Sequence, residues 1–180
     1  MLFVIAIAVI GFAVLRKGGG EADAAQDQTS DQGEGLGGTV ASFSDALERK
    51  WEGLRLKVYQ DQAGNPTIGY GHKLLPGESF PNGITQDQAA QMLQSDIAAA
   101  QAAVTEHVKV PLSTNQFSAL VDWVFNLGAG KVQHSTLLQR LNAGDYSAVP
   151  SELARWKYID GAPSDGLANR RADEIGLWNS

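Results

Sequence analysis

The chain has 180 residues, 43% of them apolar and 8% aromatic, enough to bury one good core and too few to argue for two catalytic-sized domains. A formal net charge of -6 excludes the basic footprint by which nucleic-acid binders neutralise phosphates, so no nucleic-acid partner is expected. Cysteine is absent, which excludes disulfides, thiol nucleophiles and thiolate metal sites, and the scattered His72, His107 and His134 lack the spacing of a zinc motif, so no metal is expected either.

Residues 1–15, MLFVIAIAVIGFAVL, form an unbroken apolar run followed at once by Arg16 and Lys17. As a helix the run would span roughly 22 Å at about 1.5 Å per residue, short of a hydrocarbon core of ~30 Å, and snorkelling of Arg16 and Lys17 would make up part of the difference. A membrane anchor over residues 1–17 is expected; a signal peptide cleaved near Ala22-Asp23-Ala24 is the alternative, disfavoured because no basic segment precedes the run. Positive charge after the apolar run favours a cytoplasmic C-terminus. From Gly18 to Val40 the chain has seven glycines, five acids and no aromatic residue, so residues 18–41 read as a flexible acidic linker.

A folded domain is expected over residues 42–180. Ser42 or Ser44 can cap a helix ending near Glu52, and RLKVY then alternates as a strand. The segment DQAGNP is dense in turn formers, with Gly64 and Asn65 suited to positive φ, and TIGYGH returns as a second strand. Beyond it the pattern is helical. Thr85 with Gln88 and Ser113 with Gln116 spell two capping boxes. Helices are expected over 86–106, 114–127, 136–143, 146–157 and 166–178, with Gly128 and Gly144 as C-caps. The fold class is therefore α+β and mostly helical, a small β-hairpin lobe joined by a long helix to a helical lobe.

Glu52 at a helix end, Asp61 at the entrance of the hairpin turn and Thr67 at the start of the return strand come to one edge when the hairpin folds back. Two carboxylates in unlike environments suit glycosidic bond cleavage, one protonated to donate to the leaving oxygen and one ionised to activate water or stabilise positive charge on the sugar. Glu52, beside Trp51, is the better candidate for a raised pKa, and Asp61, in a turn rich in backbone amides, should stay charged.

The spacing Glu52, eight residues, Asp61, five residues, Thr67, followed by IGYGH, resembles the Glu/Asp/Thr triad of the phage-type lysozymes, glycoside hydrolase family 24. FNLGAGKVQHSTLLQRLNAGDY (125–146), ELARW (152–156) and GLANRRADEIGLW (166–178) resemble that family's helical lobe in the right order, so the likeness covers roughly residues 43 to 180. It implies a lysozyme-like fold and a cofactor-free, monomeric muramidase whose partner is the peptidoglycan glycan strand, cleaved with inversion. Glu52 would be the general acid, Asp61 the base or charge stabiliser, and Thr67 a ligand of the attacking water. Phe125 and Asn126 match family positions that bind substrate, although a core aromatic and a helix cap would look the same. Asp96 aligns with an acidic partner for His72, a pair in which the histidine pKa should rise and the aspartate pKa fall.

The apolar N-terminus resembles the signal-anchor-release endolysins, which implies an enzyme held at the inner membrane, or a virion membrane, that acts on periplasmic peptidoglycan during host cell lysis. Two alternatives stand beside it. A lytic transglycosylase would need only one acidic residue, and a membrane-tethered peptidoglycan-binding protein would have kept the cleft without the chemistry.

Overall fold

The computed structural model describes residues 53–61 and 63–180. The expected anchor (1–17), linker (18–41) and helix ending at Glu52, with Glu52 itself, lie outside the described residues. The described residues all fall within one structural unit. Among them, no helix is long and apolar enough to cross a membrane.

Strand β1 (Arg55–Gln60) turns through Asp61 to Asn65 into β2 (Pro66–Gly69), and β2 pairs in turn with β3 (His72–Lys73), all antiparallel in the order β1-β2-β3. The turn is closed by main-chain bonds from Gly64 N–H to Asp61 O and from Asp61 N–H to Asn65 O, both 2.9 Å. Gly64 alone takes the positive φ, 78°, and Asn65 does not.

The expected return strand TIGYGH is two strands. Gly69 and Gly71, at φ 67° and 80°, turn the backbone out of the extended region. That break creates β3 and places Thr67 on the central strand, opposite Tyr59 of β1 and Lys73 of β3.

The helical part opens with α1 (Gln86–His107), α2 (Thr114–Leu127) and the single turn α3 (Ala129–Val132), and continues with α4 (Thr136–Asn142). A 3-10 turn (Tyr146–Ala148), α5 (Val149–Leu153), strands β4 (Tyr158–Ile159) and β5 (Ala162–Pro163), and α6 (Asp165–Trp178) complete it. Both capping boxes form: Thr85 accepts from Gln88 N–H and Ser113 from Gln116 N–H, while each glutamine side chain reaches back to its cap. Gly128 caps α2 at φ 84°, and Gly144, at φ 87°, follows the end of α4.

The helix expected over 146–157 is broken. Pro150 lacks an N–H and fits only a first helical turn, so α5 begins at Val149, preceded by the 3-10 turn, and ends at Leu153. The β4–β5 hairpin was not expected, although Asp160-Gly161, at φ 50° and 81°, is the Asp-Gly pair that a tight hairpin demands.

The fold is α+β and mostly helical, as expected. Its core runs from Ile68 of β2 through Leu93 and Ile97 of α1 and Leu120, Val121 and Trp123 of α2 to Leu137 and Leu141, Leu153 and Trp178, all buried. Helix α1 packs on both β2 and α2, and so joins the sheet to the helices.

Candidate active site

Asp61 sits where β1 ends, and the turn is wrapped around its carboxylate. Oδ1 accepts from the N–H of Ala63 (2.9 Å) and of Asn65 (2.8 Å), and the Asn65 side-chain amide donates to both oxygens, at 3.1 and 2.9 Å. Lys73 Nζ, projecting from β3, lies 3.5 Å from Oδ2. Burial opposes ionisation of Asp61, but the bonds from the Asn65 side chain, the two backbone amides and the Lys73 charge together hold its pKa below the usual carboxylate range. Asp61 is thus a committed anion at neutral pH, as the turn composition suggested.

Thr67 is 1% exposed, and its hydroxyl donates to the Asn65 carbonyl at 3.0 Å. With its single proton committed inward, the hydroxyl oxygen is left as an acceptor. Asn65 therefore ties Asp61 and Thr67 into one group, donating to the first and accepting from the second. Sequence reasoning missed Asn65 and Lys73. The signal for Asn65 was the aspartate–asparagine pairing across a four-residue turn, and Lys73 could be found only once Gly69 and Gly71 were recognised as ending β2.

Phe125 and Asn126 stand at the end of α2, half-buried. Asn126 Oδ1 accepts from Arg171 Nη2 at 3.1 Å, and the Arg170 guanidinium lies 5.9 Å from the centre of the Phe125 ring. Both arginines are buried. Arg170 grips Asp122 with two bonds, Nε to Oδ2 at 3.2 Å and Nη2 to Oδ1 at 3.0 Å, and Arg171 bonds to Glu174 one helical turn on. Burial, with the nearby Asp122 carboxylate adding to it, pushes Glu174 well above the usual range. Sequence reasoning passed over this cluster because buried charges look the same as surface charges in a helical segment.

The His72–Asp96 pair forms, Nδ1 to Oδ2 at 2.8 Å, and His72 Nε2 adds a second carboxylate, Glu78 Oε2, at 3.0 Å. Burial opposes the charge on His72, but its bonds to Glu78 and Asp96 outweigh that and raise its pKa. Asp96 does not fall as expected: burial raises it, more than His72 lowers it, and the Glu78 charge adds to the rise. The two partners thus move in the same direction, because the imidazolium is shared between two acids and Asp96 is the more buried of them.

Among the described residues, no group of three or more histidine, cysteine or acidic side chains could hold a metal ion.

A family model for phage lysozyme matches residues 49–174. An endolysin of Acyrthosiphon pisum secondary endosymbiont phage 1 is 42% identical over 138 residues, 74% of this chain and 93% of its own length. A SAR-endolysin of Escherichia phage Mu is 35% identical over 146 residues, 79% of this chain and 84% of its own. Among solved structures, the muramidase domain of SpmX from Asticaccaulis excentricus is similar with a TM-score of 0.67 at 30% identity, covering 77% of this chain and 95% of that one.

Proposed function

The chain belongs to the phage lysozyme family and is a hydrolase acting on peptidoglycan, and from that premise we propose that it cuts the β-1,4 bond between N-acetylmuramic acid and N-acetylglucosamine, as a glycoside hydrolase of family 24, to lyse a bacterial host cell. The observation that carries the proposal is the Asp61 carboxylate, held ionised by Asn65 and Lys73 and linked through Asn65 to the Thr67 hydroxyl.

In the proposed reaction Glu52 protonates the glycosidic oxygen, the bond from the anomeric carbon to that oxygen breaks, and Glu52 remains as a carboxylate. Asp61 either takes the proton that the attacking water loses, or stabilises the positive charge that develops on the sugar while that proton passes to solvent. Thr67, left as an acceptor by its bond to Asn65, accepts a hydrogen bond from the attacking water and so turns the water oxygen toward the anomeric carbon. Attack from the face opposite the leaving group inverts the anomeric centre. Phe125 and Asn126 bind a sugar ring, and no cofactor takes part.

Residues 1–17 hold the enzyme at a membrane and residues 18–41 tether the domain of residues 42–180. The apolar run in the sequence and the likeness to a SAR-endolysin of phage Mu support that arrangement.

Mass spectrometry of the soluble fragments released from purified peptidoglycan tests the chemistry. New reducing ends on N-acetylmuramic acid are expected, with inverted configuration when turnover is followed early by NMR. A 1,6-anhydro sugar would assign the enzyme to the lytic transglycosylases, and retention would give Asp61 a nucleophilic role.

A further inference from the structure

An arginine side chain carries N–H donors and no acceptor, so an amide side chain that meets it must present its carbonyl. Arg171 is 1% exposed, and its Nη2 donates to Asn126 Oδ1 at 3.1 Å while also bonding Glu174. The amide orientation of Asn126 is therefore fixed by chemistry: its NH2 group faces away from Arg171 and makes no hydrogen bond to any described residue. A half-buried amide with a tied carbonyl and free N–H groups is a prepared donor.

The pair behind it is poorly explained as a stabiliser. Buried ion pairs offset their desolvation cost only when their remaining polar atoms are satisfied. Here Arg171 keeps two buried N–H groups, Nε and Nη1, without a hydrogen bond. The neighbouring Arg170–Asp122 pair, by contrast, is bidentate. What the Arg171–Glu174 pair does complete is the alignment of Asn126.

Building on the muramidase function proposed above, we propose that Arg171, held by Glu174, is a positioning residue that fixes Asn126 as a hydrogen-bond donor to the carbonyl oxygen of a substrate N-acetyl group. A sugar hydroxyl both donates and accepts and would meet either face of the amide equally well. Only an obligate acceptor gains from a locked donor, and in the glycan strand the N-acetyl carbonyl is such a group on both sugars.

Steady-state kinetics of the full-length chain on soluble, fully N-acetylated peptidoglycan oligosaccharides test the proposal, with thermal melting recorded alongside. Asn126→Asp keeps an acceptor for Arg171 but removes both donors, and should raise KM about three- to tenfold with kcat within about twofold, the loss expected for one hydrogen bond to a neutral group. The double variant Arg171→Met/Glu174→Met exchanges the pair for apolar side chains of similar length; its melting temperature should hold while KM rises by a comparable factor. Should that chain fail to fold, Arg171→Lys retains a charge for Glu174 but not the planar group that reaches both partners, and should raise KM in the same way. An unchanged KM in Asn126→Asp, or a lowered melting temperature with unchanged KM in the Arg171 variants, would reduce the pair to a structural role and overturn the proposal. Failure of the muramidase function would be visible separately, as a wild-type chain that produces no N-acetylmuramic acid reducing ends.

Discussion

The Asp61 carboxylate is held by a side chain four residues away. Asn65 supplies three of the hydrogen bonds to the carboxylate, two from its side-chain amide and one from its backbone, and its carbonyl orients Thr67. A carboxylate whose folded pKa is depressed stays ionised as pH falls until that lowered value is reached. Removing donors raises the value, so in Asn65→Ala the acid limb of the pH profile of kcat/KM should move to higher pH than in wild type. An acid limb that stays in place would leave the charge of Asp61 under other control. His72 obeys the opposite sign. Its folded pKa lies above the unfolded value of about 6.5, so its contribution to stability is complete below that pH and is lost as pH rises through the folded value. Asp96, also raised, loses stability as pH rises above about 3.8, while Glu78, lowered, gains it over the same acid range. The stabilising window of the cluster is thus bounded mainly on its alkaline side. NMR titration should show a lower His72 midpoint in Asp96→Asn than in wild type, and the melting advantage of wild type over that variant should shrink above about pH 6.5; matching midpoints would mean that Glu78 alone sets the histidine. The ionised Asp61 and the His72–Asp96 contact were legible from turn chemistry and family likeness. The rise of Asp96 was not, because it depends on how deeply a helix face is covered, which spacing does not encode.

Helix ends carried the plainest sequence signals, and they came out where hydroxyl, glutamine and glycine placed them: α2 spans Thr114–Leu127, the range its capping box and Gly128 mark out. The sheet was harder to read. Glycine at 69 and 71 looked like part of a strand because apolar and aromatic neighbours surround it, and only the positive φ at both positions reveals the break that forms β3 and delivers Lys73 to Asp61. The same logic gives a test at Gly83, whose φ is 79° and whose added Cβ would stand 2.4 Å from the Leu56 carbonyl oxygen. That oxygen accepts the Ile84 N–H at 2.9 Å, the bond joining β1 to the approach of α1. Gly83→Ala combines an unfavourable φ with a backbone clash and should destabilise the protein by about 2 to 3 kcal/mol, read as a shift in urea midpoint; a variant as stable as wild type would show that β1 is free to move aside.

The described residues form one unit whose core is continuous from Ile68 through α1 to Trp178, and such a unit is expected to fold without the residues that precede the linker. A chain beginning at residue 40 should be soluble and as active on purified peptidoglycan as the full-length protein in detergent; insolubility of the shorter chain would show that the apolar run 1–15 packs on the domain instead of in a membrane. The mostly helical α+β class and the lysozyme family were both legible in the sequence, the first from periodicity and caps, the second from the triad spacing together with three further segments. The buried Asp122, Arg170, Arg171 and Glu174 were not, since the residue types alone do not say which charges the helices turn inward. In the proposed reaction Glu52 delivers the proton, and Asp61 and Thr67 complete the hydrolysis. The role of Glu52 is tested most directly by the clearing of a peptidoglycan suspension by Glu52→Gln beside wild type at equal concentrations of folded protein. The variant should melt like wild type and clear the suspension at least a hundredfold more slowly, the range of ~10²–10⁴ that loss of a general acid costs; clearing at a rate near wild type would mean that Glu52 is not the proton donor.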